Sequence, residues 1–235
     1  MRAVILAGGK GTRLLPYTTV LPKPLMPIGD MPILEVVIRQ IKQYGFTEVT
    51  LAVGHLAELL EAFFGDGRKF GVRIDYCLED EPLGTAGPLS LIKNLTDTFL
   101  VMNGDVLTTL DYSDLLSFHR LQKGIATIAT FKRNVKIDFG VIEKGDSQEI
   151  NGYEEKPVLE YLVSMGVYIF EPAVLKYIKH RQHLDFPDLV KTLLANQDRV
   201  VAYPFDGYWL DIGRHDDYTR AIEEFEKRRK EFKID

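Results

Sequence analysis

An apolar run near the start of the chain leads directly into a glycine-rich turn, and this feature constrains the fold most strongly. Residues 3–7 read Ala-Val-Ile-Leu-Ala, and residues 8–11 read Gly-Gly-Lys-Gly. Such a short apolar run is typical of a buried strand. Glycines let backbone N–H groups surround an anion because no Cβ stands in the way. Arg13 and Lys23 add two cations nearby, and the pattern therefore predicts a triphosphate site.

The turn differs from two common phosphate-binding motifs. A Walker A loop reads G-x-x-x-x-G-K-[ST], but here Lys10 precedes the third glycine and the chain contains no Gly-Lys-Ser or Gly-Lys-Thr. The dinucleotide motif G-x-G-x-x-G opens a helix, which Pro16, Pro22 and Pro24 prevent here. A turn without a ligand explains many lone glycine motifs, but it needs no cations. The prolines on both sides of Lys23 stiffen its backbone, which suits a side chain that binds phosphate in one geometry.

Strands and helices alternate through the first half of the chain. The apolar spacing predicts helices over residues 32–44, 55–64 and 85–93, the last capped by Thr85, and strands over residues 49–54, 72–78 and 99–102. Repeated units of this length predict a Rossmann-like, three-layer α/β fold, in which a mixed, mainly parallel sheet is flanked by helices.

The second half is less regular, and its strands are expected to be partly antiparallel. The pattern predicts strands over residues 125–131, 139–143, 149–154 and 162–170, helices over residues 172–179 and 186–195, a closing pair of strands over residues 200–203 and 208–211, and a helical tail over residues 214–232 on the outside. Since no linker, repeat or low-complexity tract interrupts the chain, we expect one domain over residues 1–235.

Candidate site residues follow several of the predicted strands. Residues 8–13, residues 79–84 and Asp105 each come directly after one. Ligands of parallel sheets bind in the crevice beyond the carboxyl ends of the strands. We therefore expect these three segments to line one crevice.

Composition and charge narrow the class of protein. The chain has 235 residues, of which 46% are hydrophobic, enough for a sizeable core. A net charge of −5 gives no general attraction to nucleic acid or to an acidic membrane. Cys77 is the sole cysteine, which favours a reducing, cytoplasmic location. No segment reads as a signal peptide or a membrane span.

Five motifs in order resemble the sugar-1-phosphate nucleotidylyltransferases, and most closely the mannose- and heptose-1-phosphate guanylyltransferases. They are L-A-G-G-x-G-T-R-L-x-P with P-K-P in residues 6–24, E-P-L-G-T-A-G in residues 81–87, N-G-D in residues 103–105, E-E-K-P in residues 154–157 and W-L-D-I-G in residues 209–213. The resemblance implies an enzyme that transfers a nucleoside monophosphate from a nucleoside triphosphate (NTP) to a sugar 1-phosphate and releases pyrophosphate. It also implies a nucleotide-binding half over about residues 1–110, and a smaller sugar-phosphate-binding half with a C-terminal helix over about residues 111–235.

The resemblance also implies roles for single residues. Asp105 and Asp211 match the ligands of Mg²⁺, and Arg13, Lys23 and Asp105 match catalytic residues. By the same resemblance, Arg13 holds the β- and γ-phosphates and Lys23 the α-phosphate. The implied nucleotide-binding residues are Leu6, Ala7, Gly8, Gly9, Gly11, Thr12, Arg13, Lys23, Glu79, Pro82, Gly84 and Thr85, and the implied sugar-phosphate-binding residues are Asn103, Gly140, Glu155, Lys156 and Gly166.

Simpler interpretations of these motifs stay open. Asp105 fits an Asn-Gly-Asp turn without a metal, and Asp211 fits a cap of the turn at Gly213. The acids and the lysine of residues 154–156 also fit a solvated hairpin. Relatives often carry asparagine or alanine before the glycine that corresponds to Gly166, whereas this chain has Ser-Met, so the sugar stays open.

The choice of base can be argued from hydrogen bonding. Guanine presents two adjacent donors, whereas uracil and thymine present one donor between two acceptors, which an amide fits better. The loop of residues 79–84 has three carboxylates and no amide. Glu79 stands at the base-reading position of the family and favours GTP. One alternative is uridylyl or thymidylyl transfer to a hexose or amino-sugar 1-phosphate. The other is that the three acids are solvated loop residues that contact no base.

Other classes are less consistent with the motifs. A metal-dependent glycosyltransferase requires D-x-D, which residues 105–107 do not form. A non-catalytic regulatory subunit would lose a cation or an aspartate of the site, and all are present. Small-molecule substrates are therefore the expected partners, without nucleic acid or membrane, and a homo-oligomer is possible.

Overall fold

Aliphatic runs form the centre of one large sheet in the computed structural model, which describes residues 1–234. In chain order the regular elements are β1 (Arg2–Leu6), β2 (Pro27–Ile28), β3 (Met31–Pro32), α1 (Ile33–Gln43), β4 (Glu48–Val53), α2 (Ala57–Phe64), β5 (Arg73–Leu78), β6 (Phe99–Asn103), β7 (Val106–Thr108), α3 (Tyr112–Gln122), β8 (Ala126–Lys136), β9 (Gly140–Lys144), β10 (Ile150–Glu155), β11 (Val158–Phe170), α4 (Phe186–Ala195), β12 (Val200–Phe205), β13 (Trp209–Asp211) and α5 (His215–Arg228).

The sheet has seven strands in the order β12-β8-β11-β6-β1-β4-β5. Four neighbouring pairs are parallel, and β11 is antiparallel to both of its neighbours. In β1 the side chains of Ala3, Val4 and Ile5 are fully buried, as expected for a strand with a packed layer on each face. The predicted α/β fold with a mainly parallel sheet is confirmed.

Several predicted elements differ from the structure. The helix predicted after Thr85 is wrong, since Gly87–Leu91 forms only a short 3₁₀ helix. The backbone N–H groups of Ala86 and Gly87 bind the carbonyl of Leu184 instead of starting a helix. Residues 172–177 are also 3₁₀ rather than α-helical. The predicted closing strands do not pair with each other, because β12 joins β8 and β13 joins β7.

Helix α3 has no counterpart among the predicted elements. It begins at Asp111, whose carboxylate accepts hydrogen bonds from the N–H groups of Ser113 and Asp114. Its buried face includes Tyr112, Leu115, Leu116 and His119.

The helical tail contributes to a hydrophobic core, although the sequence pattern places it on the outside. Ala221 and Phe225 of α5 are fully buried, as is Phe232 beyond it. They pack in one cluster with Leu14, which follows the glycine turn, and Ile212, which follows β13. The tail therefore supports the segments on either side of the candidate site.

Strands β8 and β11 continue beyond the sheet, and together with residues 137–157, which contain the hairpin β9–β10, these extensions are called the arm. Much of this arm is exposed, including Phe139, Tyr153 and Leu162. Within residues 1–234, no helix is both long and apolar enough to cross a membrane.

Candidate active site

A cavity of about 820 Å³ opens at the carboxyl ends of β1, β5 and β6. It brings together every residue that the resemblance assigns to the nucleotide, and also Asn103 and Asp105. The residues that line it are Leu6, Ala7, Gly8, Gly9, Lys10, Gly11, Thr12, Arg13, Lys23, Pro24, Gly54, His55, Glu79, Asp80, Pro82, Gly84, Thr85, Pro88, Asn103, Gly104 and Asp105. The three segments expected to share a crevice therefore do so.

Two glycines of the turn are required by geometry. Gly11 has a φ of +62°, and a Cβ there would lie 2.8 Å from Cγ2 of Thr18. The Thr18 hydroxyl donates to the Gly11 carbonyl over 2.8 Å and fixes the turn. A Cβ on Gly8 would lie 2.7 Å from a carboxylate oxygen of Glu79. A larger residue at Gly11 would therefore strain the turn against Thr18, and one at Gly8 would displace the carboxylate of Glu79.

Lys23 and Asp105 form an ion pair at the rim of the cavity. Lys23 belongs to a 3₁₀ turn that has Pro22 before it and Pro24 within it. Its side chain is 10% exposed and that of Asp105 is 22% exposed, so the pair is shielded from most solvent. Oδ1 of Asp105 is buried without a hydrogen-bond partner in the structure. The carboxylate therefore retains an unused oxygen.

A short antiparallel ribbon brings Asp211 to Asp105. In the pairing of β13 with β7, Asp211 lies opposite Val106, and the N–H of Ile212 donates to the Asp105 carbonyl over 3.1 Å. Arg13 approaches from the other side, because a Cβ on Gly213 would lie 3.3 Å from a guanidinium nitrogen of Arg13. Two cations and two carboxylates thus meet beside the glycine turn.

The protonation of Asp211 responds to this cluster. Loss of surrounding water raises the pKa of Asp211 above its ordinary value, and the nearby Asp105 carboxylate raises it further. Lys23 and Arg13 lower the same pKa by stabilising the carboxylate. Solvent still reaches the Asp211 side chain. The rise in its pKa therefore comes from partial loss of water to the surrounding residues, and not from complete burial. The two acids share one electrostatic environment, and a further cation between them would be stabilised.

The acid pair fits a magnesium ion that takes its remaining ligands from substrate and water. Carboxylate oxygens are hard donors, and Mg²⁺ is usually held by one or two carboxylates together with phosphate oxygens. The unpartnered oxygen of Asp105 is available for such a role. Among residues 1–234, no group of three or more His, Cys, Asp or Glu side chains could hold a metal alone. A protein-only metal cage is therefore not what the described side chains offer.

Glu79 directly follows β5 and also lines the cavity. One carboxylate oxygen accepts a hydrogen bond from the N–H of Leu83 over 3.1 Å. Partial burial raises the pKa of Glu79, and the bond from Leu83 lowers it in part. The side chain is thus held inside the loop of residues 79–84, with one oxygen committed to the backbone.

The predicted sugar-phosphate residues divide into two groups. Asn103 lines the cavity, and Gly166 lies against it, since a Cβ on Gly166 would be 2.6 Å from Nδ2 of Asn103. Gly140, Glu155 and Lys156 lie on the exposed hairpin and do not line the cavity. The structure brings the first two to the nucleotide site and leaves the other three on the arm.

The hairpin residues make contacts of their own. Tyr153 donates a hydrogen bond to Glu155 over 2.8 Å, and Gly140 packs against the same tyrosine hydroxyl. Nζ of Lys156 lies 3.7 Å from Glu155, and both side chains are more than half exposed. The pairing of β9 with β10 makes these residues neighbours, because Glu155 lies opposite Gly140.

Sequence reasoning missed some residues of the cavity wall, including His55. His55 directly follows β4, so the strand-end rule used for the other segments would have found it. Lys10 lies within the glycine turn itself and has no hydrogen bond or ion pair within residues 1–234.

The protein has an α/β fold, and its candidate site lies beyond the carboxyl ends of the parallel strands. Residues 2–228 match the nucleotidyl transferase family, and the chain belongs to that family. The resemblance noted in the motifs is therefore confirmed.

Curated relatives cover two nucleotide classes. The chain is 38% identical over 242 residues to the UTP--glucose-1-phosphate uridylyltransferase of Synechocystis sp. (strain ATCC 27184 / PCC 6803 / Kazusa), covering 94% of this chain and 62% of that protein. It is 36% identical over 230 residues to the mannose-1-phosphate guanylyltransferase catalytic subunit beta of Danio rerio, covering 94% and 64%. The chain thus spans less than two thirds of these relatives' length.

Solved structures share the fold over nearly the whole chain. A Bacillus anthracis protein crystallised with sucrose, and named provisionally as a glucose-1-phosphate thymidylyltransferase, is 28% identical with a TM-score of 0.77, covering 95% of this chain and 94% of that one. HddC from Yersinia pseudotuberculosis, complexed with GMP-PN, is 25% identical with a TM-score of 0.71, covering 95% and 99%.

Proposed function

We propose that this chain transfers a nucleoside monophosphate from an NTP to a sugar 1-phosphate and releases pyrophosphate, with GTP as the preferred nucleotide. One observation carries the proposal: Arg13, Lys23, Asp105 and Asp211 converge beside a glycine turn at the edge of an 820 Å³ cavity. Membership of the nucleotidyl transferase family supports it. The chain acts as one domain, with the nucleotide bound mainly by residues 1–110.

The reaction brings two polyanions together, so its main requirements are position and charge. In the proposed role, the backbone of the glycine turn and the guanidinium of Arg13 bind the β- and γ-phosphates. Arg13 has no hydrogen-bond or ion-pair partner within the described chain, which leaves its planar fork free for the leaving pyrophosphate. Lys23, held by Asp105, supports negative charge on the α-phosphate.

Asp105 and Asp211 would hold the metal. A bound Mg²⁺ would supply positive charge that offsets the repulsion between the two phosphate groups. Until then Lys23 neutralises Asp105, and Arg13 and Lys23 stabilise Asp211 as a carboxylate. The two cations therefore favour the charged form of Asp211, which is the form that a metal ion binds.

Glu79 is the proposed reader of the base. A carboxylate accepts hydrogen bonds, and guanine offers two adjacent donors on its Watson–Crick edge. One oxygen of Glu79 already accepts from Leu83, and each carboxylate oxygen has a second lone pair for the base. Uridylyl or thymidylyl transfer is the second candidate, because the Synechocystis relative is named a uridylyltransferase.

The sugar 1-phosphate is proposed to bind between Asn103, Gly166 and the arm. Gly140, Glu155 and Lys156 are assigned to it by the resemblance to the family, and the side chains of Glu155 and Lys156 are more than half exposed, so a ligand can reach them. A cytoplasmic location, a possible homo-oligomer and the absence of a nucleic-acid or membrane partner stay predictions, as does the alternative of a non-catalytic regulatory subunit.

The test is a panel that crosses GTP, UTP, dTTP and ATP with hexose and heptose 1-phosphates in the presence of Mg²⁺, read by pyrophosphate release. We expect release to be fastest with GTP, and to be lost in Asp105→Asn. Asp97→Asn is the matched control, since Asp97 precedes the other end of the same strand. Absence of release from every pair in the panel would contradict the proposal.

A further inference from the structure

The loop that carries Glu79 is held by a segment about 100 residues further along the chain. Backbone hydrogen bonds join the two: the N–H of Leu184 donates to the Leu83 carbonyl, and the N–H groups of Ala86 and Gly87 donate to the Leu184 carbonyl, all within 3.0 Å. Contacts with Leu184 therefore hold the end of the loop in addition to the loop's own hydrogen bond between Leu83 and Glu79.

Asp185 adds a side chain to this junction. Its Oδ1 accepts hydrogen bonds from the N–H of Thr85 over 2.9 Å and from the Thr85 hydroxyl over 3.2 Å. The Thr85 hydroxyl accepts in turn from the N–H of Phe186 over 2.8 Å. The other Asp185 oxygen lies 3.9 Å from the ring of His183. One carboxylate oxygen and one hydroxyl thus connect the loop to the start of α4.

Helix α4 lacks a hydrogen bond from its backbone to the side chain of its own N-cap residue. Asp185 occupies the N-cap position, where aspartate normally accepts from the helix's own N–H groups, but its side chain makes no such bond. Thr85 supplies the cap from across the chain by accepting from Phe186. Residues that break a local rule while satisfying a distant contact mark places where position matters to function.

The position that is fixed is that of the cavity wall. Gly84 and Thr85 both line the cavity. Gly84 has a φ of +77°, and a Cβ there would lie 2.7 Å from the Leu184 carbonyl and 2.8 Å from Oδ1 of Asp185. The wall is therefore pressed against residues 184–185 without room for adjustment.

The junction is packed against the central sheet through Phe186. Phe186 is buried, with its ring centroid 4.4 Å from that of Tyr168 and 5.7 Å from that of Phe170. Both partners belong to β11 in the central sheet. The start of α4 thus connects the loop of residues 79–84 to the central sheet.

We propose that Asp185 is a positioning residue for the nucleotide: with Thr85, it sets the distance between the base-reading loop and the phosphate-binding turn. The inference rests on the proposed nucleotide site. It requires that loss of the Asp185 carboxylate weakens nucleotide binding while the chemical step is left nearly unchanged.

The experiment compares Asp185→Ala with Asp185→Asn, using the NTP that the wild-type protein prefers, in a pyrophosphate-release assay and in calorimetric titration. Loss of two hydrogen bonds to a carboxylate predicts a KM and a Kd for the NTP raised about tenfold or more, with kcat within about twofold of the wild type. Asp185→Asn keeps an oxygen that accepts from the Thr85 N–H, so it should recover most of the affinity.

Asp188→Ala is the matched control. Asp188 is an exposed acid in the first turn of the same helix, and within residues 1–234 its carboxylate binds only Lys191, over 3.0 Å. It carries the same charge near the same helix end, but it does not touch the loop. Its KM should equal that of the wild type, which separates positioning from the charge effect at the helix terminus.

Each outcome decides the inference. A KM for Asp185→Ala equal to that of the wild type or of Asp188→Ala would overturn it, even if the proposed function stands. Weaker NTP binding in Asp185→Ala would support it, even if no turnover is found and the proposed function fails. A wild-type protein that binds no NTP would overturn both. If Asp185→Ala does not fold, Thr85→Val decides in its place, with a raised KM supporting the inference and an unchanged KM overturning it.

Discussion

Replacing Lys23 with methionine should destabilise the protein more than replacing its ion-pair partner. Methionine keeps most of the apolar length of the side chain and removes only the charge. With 10% and 22% of the two side chains exposed, the pair lies between a surface pair, worth about 0.2–1 kcal/mol, and a fully buried pair, whose disruption costs about 3–5 kcal/mol. We therefore expect Lys23→Met to lower the free energy of unfolding by about 2 kcal/mol.

The comparison with Asp105→Asn tests the role of the second acid. Lys23→Met leaves two neighbouring carboxylates, Asp105 and Asp211, with less positive charge between them. Asp105→Asn breaks the same ion pair, but it leaves Lys23 near Asp211 and removes the repulsion between the acids. We expect Asp105→Asn to cost about 1 kcal/mol or less.

The assay is urea unfolding at neutral pH in the presence of EDTA, with thermal unfolding as a second measure. A loss of about 2 kcal/mol corresponds to a fall in Tm of about 4–8 °C for a chain of this size. Because both variants break one ion pair, a difference between them reports the third charge. An Asp105→Asn variant that is as destabilised as Lys23→Met would show that Asp211 is not electrostatically coupled to the pair.

Three further predictions concern single positions. Asp211→Asn should abolish pyrophosphate release but leave the Tm unchanged or slightly higher, because it removes a carboxylate that Asp105 repels. The pKa of Glu79 lies above its ordinary value of 4.5. The KM for GTP should rise as the pH falls through this pKa, because a protonated carboxyl group accepts fewer hydrogen bonds from the base. Glu79→Gln should remove this pH dependence of KM and shift the nucleotide preference toward UTP. Gly11→Ala should lower the unfolding free energy by about 1–2 kcal/mol, measured by urea, because φ is +62°.

Each of these three predictions has an outcome that would contradict it. Retained turnover in Asp211→Asn would remove that residue from the metal site. A pH-independent KM would exclude Glu79 as the base reader, and wild-type stability in Gly11→Ala would show that the turn relaxes freely.

The central strands and the glycine turn could be predicted from sequence because the rules that govern them are local. An aliphatic run such as residues 3–7 is buried wherever it lies, and a residue at the carboxyl end of a parallel strand lies near the crevice in any such sheet. This is why residues 8–13, residues 79–84 and Asp105 could be placed together without knowing the strand order.

The contacts that complete the site could not be predicted, because they depend on register between distant segments. Strands β7 and β13 have three residues each, too few to show a period, yet their pairing sets the position of Asp211. The helix predicted after Thr85 failed for the same reason. Its N–H groups are taken by a carbonyl from a segment about 100 residues away, which no local pattern reveals.

Both of these long-range links act on the same cavity, but at different places, and this separates their expected consequences. The pairing of β13 with β7 brings Asp211 to the proposed phosphate end of the cavity, so changes in that ribbon should act on the developing charge and lower kcat. Asp185 reaches the base-reading loop through the start of α4, so changes there should act on nucleotide binding and raise KM. The cavity surface comes mostly from the first half of the chain, whereas its geometry is set from the second. For substitutions far from the glycine turn, the link that is disturbed should therefore decide whether kcat or KM changes. Their distance from the reacting phosphate should not decide it.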